Sequence, residues 1–126
     1  MLSNDYKEWL RQADYDLKTA EYMFKGRRYF YAVFMVHLAV EKALKGIYQK
    51  VHKQIPPKTH NLLFLSEKSS AKLSEHLVKF LVKLNQASIV TRYPEDLKNL
   101  TKQYTAPVTR EILRQSKEVL SCLKKM

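Results

Sequence analysis

Apolar residues recur at three- and four-residue steps along most of this chain, and that spacing lays out helices. Tyr6, Leu10, Ala13, Leu17, Ala20 and Phe24 predict a first helix from Asp5 to Lys25. Ser3, Asn4 and Asp5 offer N-caps, Asp5 with Glu8 resembles a capping box, and Gly26 ends the helix. A second helix from Arg28 to Lys50 follows almost at once, so the two must lie antiparallel. This second helix is apolar nearly all round. Tyr29, Val33, Val36, Val40, Ile47 and Val51 make an aliphatic face, and Ala32, Met35, Ala39, Ala43 and Gly46 make a small-residue face suited to close approach. Such a helix belongs at the centre of a bundle. It also carries His37, Glu41 and Lys45 at i, i+4, i+8, one polar stripe on a helix that is otherwise buried.

Pro56-Pro57 forces an extended segment, after which Thr59 can cap a short helix from His60 to Lys68. A helix from Ala71 to Gln86 follows, with Leu73, Leu77, Phe80, Leu81 and Leu84 on one stripe. Residues 88–104 show no clean period and contain Pro94, which reads as a long ordered loop with room for one helical turn. The last helix runs from Thr105 to Lys124, with Pro107 tolerated in its first turn. Its core stripe is Val108, Ile112, Val119 and Leu123, helped by Leu113 and Leu120. The expected fold is all-α: an antiparallel up-and-down helical bundle of four long helices plus one short helix, in a single domain over residues 1–126.

Charge changes the picture. The formal net charge is +11, yet residues 1–24 sum to −2, so the other residues carry +13. A polyanionic partner is one explanation, whether nucleic acid, nucleotide or acidic protein, and a lysine-rich soluble surface is the other. Two glycines exclude glycine-rich phosphate loops, and no Cys-x-x-Cys or His-Glu-x-x-His motif calls for a metal or cofactor. The single cysteine, Cys122, excludes an intrachain disulfide and fits a reducing compartment such as the cytoplasm. No signal peptide is read, and the apolar run from Tyr29 to Val40 is too short to span a bilayer.

Two groups of residues could carry chemistry. The first is a polar cleft of Asp16, His37, Glu41, Lys45 and His60. Buried ionisable groups cluster at functional sites, though a satisfied polar seam would look the same in sequence. Asp16 could accept from Lys45 or His37, but a solvated rim is the commoner fate of such a residue. The second group is Arg92, Tyr93, Lys98, Lys102 and Tyr104, which interleaves cations and aromatics as phosphate contact and base stacking require. The plainer alternative makes Tyr93 and Pro94 an anchor for the loop.

Four blocks then resemble one known family. They are W-L-R-Q-A-D-Y-D-L-K-T-A from Trp9, Y-A-V-F-M-V-H-L-A-V-E-K-A-L-K from Tyr31, P-K-T-H-N-L from Pro57, and T-R-Y-P-E-D from Thr91. In that order they resemble the HEPN (higher eukaryotes and prokaryotes nucleotide-binding) domain. The resemblance implies a helical bundle that commonly pairs as a homodimer, often beside a minimal nucleotidyltransferase. Some members are metal-independent RNase toxins with the nucleotidyltransferase as antitoxin, using an Arg-x(4–6)-His motif. This chain lacks that motif: after Arg92 the corresponding positions hold Leu97, Lys98 and Asn99. The expectation is therefore a nucleotide- or RNA-associated binding module with a nucleotidyltransferase partner. One alternative is an RNase with a non-standard site that brings Arg92 to His37 or His60. Another is a protein-interaction scaffold.

Overall fold

The computed structural model describes residues 5–93 and 95–126. It is all-helical over these residues, with α1 Tyr6–Lys25, α2 Tyr29–His52, α3 Leu62–Lys68, α4 Glu75–Arg92, α5 Leu97–Gln103 and α6 Ala106–Lys124. Ser3 and Asn4, read as possible caps, and Pro94, read as part of a loop, lie outside the described residues.

Asp5 caps α1 by accepting from the Lys7 amide, while Glu8 turns to Arg11 and Gln12. The turn into α2 does not rest on glycine. Gly26 has an ordinary negative φ, and the left-handed residue is Arg27 at φ 61°. The Arg28 amide reaches back to the Met23 carbonyl at 2.8 Å, which closes the helix end across that residue.

α2 is central, packed by α1, α3, α4, α5 and α6 together. Val33, Val36, Val40 and Leu44 are fully buried, while Val51, expected in the core, is exposed near the helix end. The small-residue face does what its composition implied. A Cβ on Gly46 would lie 3.1 Å from Trp9 Cβ and 3.2 Å from the Tyr6 carbonyl, so α1 passes here at glycine distance. Ala13 and Ala20 supply the matching small residues on α1.

Three boundaries differ from expectation. α3 starts at Leu62, because Asn61 is the cap, accepting from the Phe64 amide; Thr59 Oγ1 instead accepts from the Asn61 amide. α4 starts at Glu75 behind the cap Ser74 and continues to Arg92, well past Gln86. Its last turns are rich in β-branched and hydroxyl residues, which read poorly as helix. Yet Thr91 Oγ1 bonds the Ala87 carbonyl at 2.9 Å, Ser88 Oγ bonds the Asn85 carbonyl at 2.8 Å, and both residues are buried. The supposed loop also contains a further short helix, α5, capped by Asp96 and held down by buried Leu100. The architecture is thus four long helices with two short ones. On α6, Leu113, Val119, Leu120 and Leu123 form the buried stripe, but Val108 stands 44% exposed at the surface.

Candidate functional site

The polar stripe of α2 is the heart of the site. Glu41 is 4% exposed, and a carboxylate buried that deeply needs partners. Lys45, one turn on, lies 3.0 Å from Glu41 Oε2. His60 arrives from the segment after Pro56-Pro57 and places its Nδ1 2.8 Å from Glu41 Oε1. His37, one turn back, sits with its Nδ1 3.9 Å from the same oxygen. Glu41 thus lies between Lys45 and His37 as the stripe spacing predicts, and His60, also expected in the cleft, meets it from a separate segment.

Arg92 joins this group from the end of α4. Its Nη1 lies 3.4 Å from His60 Nε2, and its guanidinium lies 5.1 Å from the centre of the Phe34 ring. A chain of contacts thus runs from half-buried Lys45 through buried Glu41 to His60, whose side chain is 63% exposed, and ends on Arg92. The contacts assign the imidazole tautomer. Glu41 can only accept, so Nδ1 carries the proton; Arg92 can only donate, so Nε2 offers its lone pair. The polar cleft and the Arg92 group, separate in sequence, meet at the contact of Arg92 with His60.

A second network fixes the segment that carries His60. Asn85 of α4 accepts from the Leu62 amide at 2.9 Å through Oδ1 and donates to Asn61 Oδ1 at 3.0 Å. On the other side, Lys45 lies 5.9 Å from the Trp9 ring centre, and Trp9 Nε1 donates to buried Gln49 at 2.8 Å. His37 itself is fully buried, and neither ring nitrogen has a partner in good hydrogen-bond geometry, although the His60 backbone and the Asn85 side chain lie near enough to favour its charged form weakly. Burial, with the Arg92 charge adding to it and Glu41 opposing it, pushes its pKa down from 6.5 to about 4, so it is neutral near pH 7.

Two expected members are placed elsewhere. Asp16 is 6% exposed, not on a solvated rim, and its Oδ2 pairs with Lys42 Nζ at 2.9 Å rather than with Lys45 or His37. Lys42 follows Glu41 in the chain but points round the helix from it, toward α1. Tyr104 is 4% exposed and packed into the core, and its burial raises the phenol pKa. Its ring is not available to stack on a base, because α5 turns it inward. Tyr93, by contrast, is 72% exposed, and Lys98 and Lys102 stand exposed one turn apart on α5.

Sequence reasoning missed Phe34, Asn61 and Asn85. Phe34 was findable, since it continues the stripe at i−3 from His37 and i−7 from Glu41. Asn85 carried no signal, because its role depends on where the chain before α3 crosses α4.

Comparison with known proteins agrees with this architecture. A family model described as HEPN domain matches residues 6–126. No curated protein matches the chain. Among solved structures, TT1696 from Thermus thermophilus is similar at 26% identity with a TM-score of 0.84 over 98% of both chains. ST0689, described as an archaeal HEPN homologue, shares the fold at 24% identity with a TM-score of 0.73 over 95% of both chains.

Proposed function

The chain belongs to the HEPN domain family, and from that premise we propose that it is a nucleotide- or RNA-associated binding module whose phosphate contact is Arg92 with His60 beside it. In this reading it works as a cytoplasmic homodimer next to a separate minimal nucleotidyltransferase. One observation carries the phosphate contact: the 3.4 Å approach of Arg92 to a His60 that buried Glu41 holds in place. Arg92 offers planar donors for phosphate oxygens. His60 Nε2 accepts a proton when neutral and donates to an anion when charged. Exposed Tyr93, next in the chain, offers a ring for stacking, and Lys98 and Lys102 add cationic surface. No helix among the described residues is long and apolar enough to cross a membrane.

The same contact favours a second reading, a metal-independent RNase. Arg92 would hold the scissile phosphate while His60 Nε2, backed by Glu41, takes the 2′-hydroxyl proton. This assembles Arg and His in space although the Arg-x(4–6)-His spacing is absent.

Anisotropy titrations with short single-stranded RNA and with mononucleotides test the binding reading. Arg92→Ala should weaken binding and make the salt dependence shallower by about one unit of slope. Tyr93→Ala should weaken affinity with little change in slope, since stacking releases few ions. Cleavage of RNA in EDTA, lost in His60→Ala, would establish the enzyme instead. If Arg92→Ala binds like wild type while Arg110→Glu with Arg114→Glu abolishes binding, the Arg92 site is wrong and the functional surface lies on α6.

A further inference from the structure

The arginines of this chain are not spread evenly. Of the six, Arg11 is engaged by Asp5 and Glu8, and Arg114 by Glu111 and Glu118. The other four, Arg27, Arg28, Arg92 and Arg110, have no carboxylate partner among the described residues, and two of them lie over phenylalanine rings instead. All four gather at one end of the bundle, where α1 turns into α2, α4 stops, and α5 leads into α6. Ring contacts tie that end together. Arg110 lies 5.4 Å from the centre of the Phe24 ring on α1, and Phe24 meets Tyr29 of α2 at 5.5 Å. Arg92 ends α4 against Phe34, which stands six residues and about 9 Å of helical rise along α2 from Arg28.

Little acid balances these cations. From Tyr22 to Val40 the chain holds Lys25, Arg27 and Arg28 and no acid, and from Leu97 to Arg110 it holds Lys98, Lys102 and Arg110 and no acid. Together with Arg92 they face only Glu95 and Asp96, an excess of +5, and Asp96 is occupied in capping α5. The acids that flank the two segments are already engaged: Glu21 is held by Lys117 at 3.2 Å and Glu111 by Arg114 at 2.6 Å. The turn between α1 and α2 is also built against its own stability. Arg27 takes the left-handed conformation at φ 61°, although Gly26, which would adopt it freely, stands beside it with an ordinary φ. Arg28 occupies the N-cap of α2, where its side chain caps nothing and no acid stands in the first turn. Cations there oppose the helix dipole, and a bound anion relieves both. Exposed tyrosines stand on either side of the turn, Tyr22 at 81% and Tyr31 at 47%.

We propose that a single strand of RNA with one phosphate at Arg92 continues past Tyr31 and lays further phosphates on Arg28, Arg27 and Arg110. This rests on the Arg92 reading and narrows its ligand to a chain of several nucleotides rather than a mononucleotide. Guanidinium forks match phosphate oxygens, and an arginine lying on a ring keeps its edge N–H donors for them. Tyrosine faces accept any base, so the contact is tolerant of sequence.

The test is fluorescence anisotropy of the full chain at low salt, with labelled oligouridylates of roughly two to twelve nucleotides and a labelled mononucleotide. Affinity should climb with length and level off at about eight nucleotides. Arg27→Gln with Arg28→Gln removes two charges but leaves the backbone contacts of the turn, and its thermal melt should equal wild type. This double variant should bind the octamer about tenfold more weakly, with a salt dependence shallower by about 1.5 units of slope, and bind the mononucleotide unchanged. Arg27→Lys with Arg28→Lys should restore the slope and only part of the affinity. Arg92→Ala should weaken both ligands. If it weakens neither while the double glutamine variant still loses the octamer, the Arg92 reading fails and the contact at the turn stands. The proposal is overturned if the octamer does not bind, if affinity does not grow beyond the dinucleotide, or if the double glutamine variant binds the octamer as wild type does. It is also overturned if that variant weakens mononucleotide and octamer alike. Tighter binding to phosphatidylserine vesicles than to the octamer, lost in the same variant, overturns it too, because the arginines would then face a membrane.

Discussion

His37 links the stability of this protein to pH, and the size of the link follows from its surroundings. The ring is fully buried on α2 and has no partner in good hydrogen-bond geometry, the His60 backbone and the Asn85 side chain giving its charged form only weak support. The charged form is disfavoured mainly by lost hydration and further by Arg92; Glu41, 3.9 Å away, only partly restores it. The result is a folded pKa of about 4 against 6.5 for the free side chain. As pH falls through that window, the unfolded chain takes up a proton that the folded chain refuses. Stability therefore drops with falling pH between about 6.5 and 4, and below that this group contributes no further loss. Each pH unit of the gap is worth about 1.4 kcal/mol, so the full loss is about 3 kcal/mol. His37→Leu keeps nearly the same volume and removes the titration. Near pH 7 the variant should match wild type within about 1.5 kcal/mol, or exceed it, since an unsatisfied polar ring has been replaced by an apolar group. Urea unfolding followed by circular dichroism at a series of pH values measures the difference. Wild type should lose stability toward pH 4 faster than His37→Leu, by up to about 3 kcal/mol, with the two curves parallel below pH 4. If the curves are parallel through the whole range, His37 titrates alike folded and unfolded, and the account of its burial is wrong.

Three further outcomes are expected. Glu41→Ala should cost about 3 kcal/mol or more by urea melt, because it leaves Lys45, with an 11% exposed side chain, without its carboxylate; Glu41→Gln should cost less, and a melt equal to wild type would show the pair to be idle. Gly46→Ala should destabilise by about 1–3 kcal/mol, since the new Cβ meets the Tyr6 carbonyl, a backbone atom, at 3.2 Å; thermal denaturation unchanged from wild type would show that α1 can shift aside. Sedimentation should give a dimer at micromolar concentration, as the family often does, but not through the apolar surface of α2, which the chain covers itself; a monomer would end the homodimer reading.

Much of this molecule was readable from local chemistry. Periodicity at three and four residues marked α1, α2 and α6, because burial of a stripe is written directly into residue spacing. The apolar circumference of Tyr29–Tyr48 announced a central helix, and the i, i+4, i+8 stripe announced the buried Glu41 beside Lys45. The family was legible by a different route, the resemblance of the four blocks that begin at Trp9, Tyr31, Pro57 and Thr91.

What the spacing could not decide were matters of crossing and covering. The end of α4 looked unlike helix because β-branched residues are weak helix formers, yet burial of Ala87, Ser88 and Thr91 against the bundle outweighs a few tenths of a kcal/mol of propensity each. Tyr104 looked like a stacking platform until α5 turned it into the core. Asp16 met Lys42 rather than the site because the packing of α1 on α2 sets it against the neighbouring side of that helix. Arg92 and His60 are 32 residues apart, and only the packing of α4 against the start of α3, held by Asn85 and Asn61, brings them within 3.4 Å. A single helix dictates which of its residues share a face. Which faces meet depends on how side chains from several helices fill one volume, and that is settled only when the chain is folded.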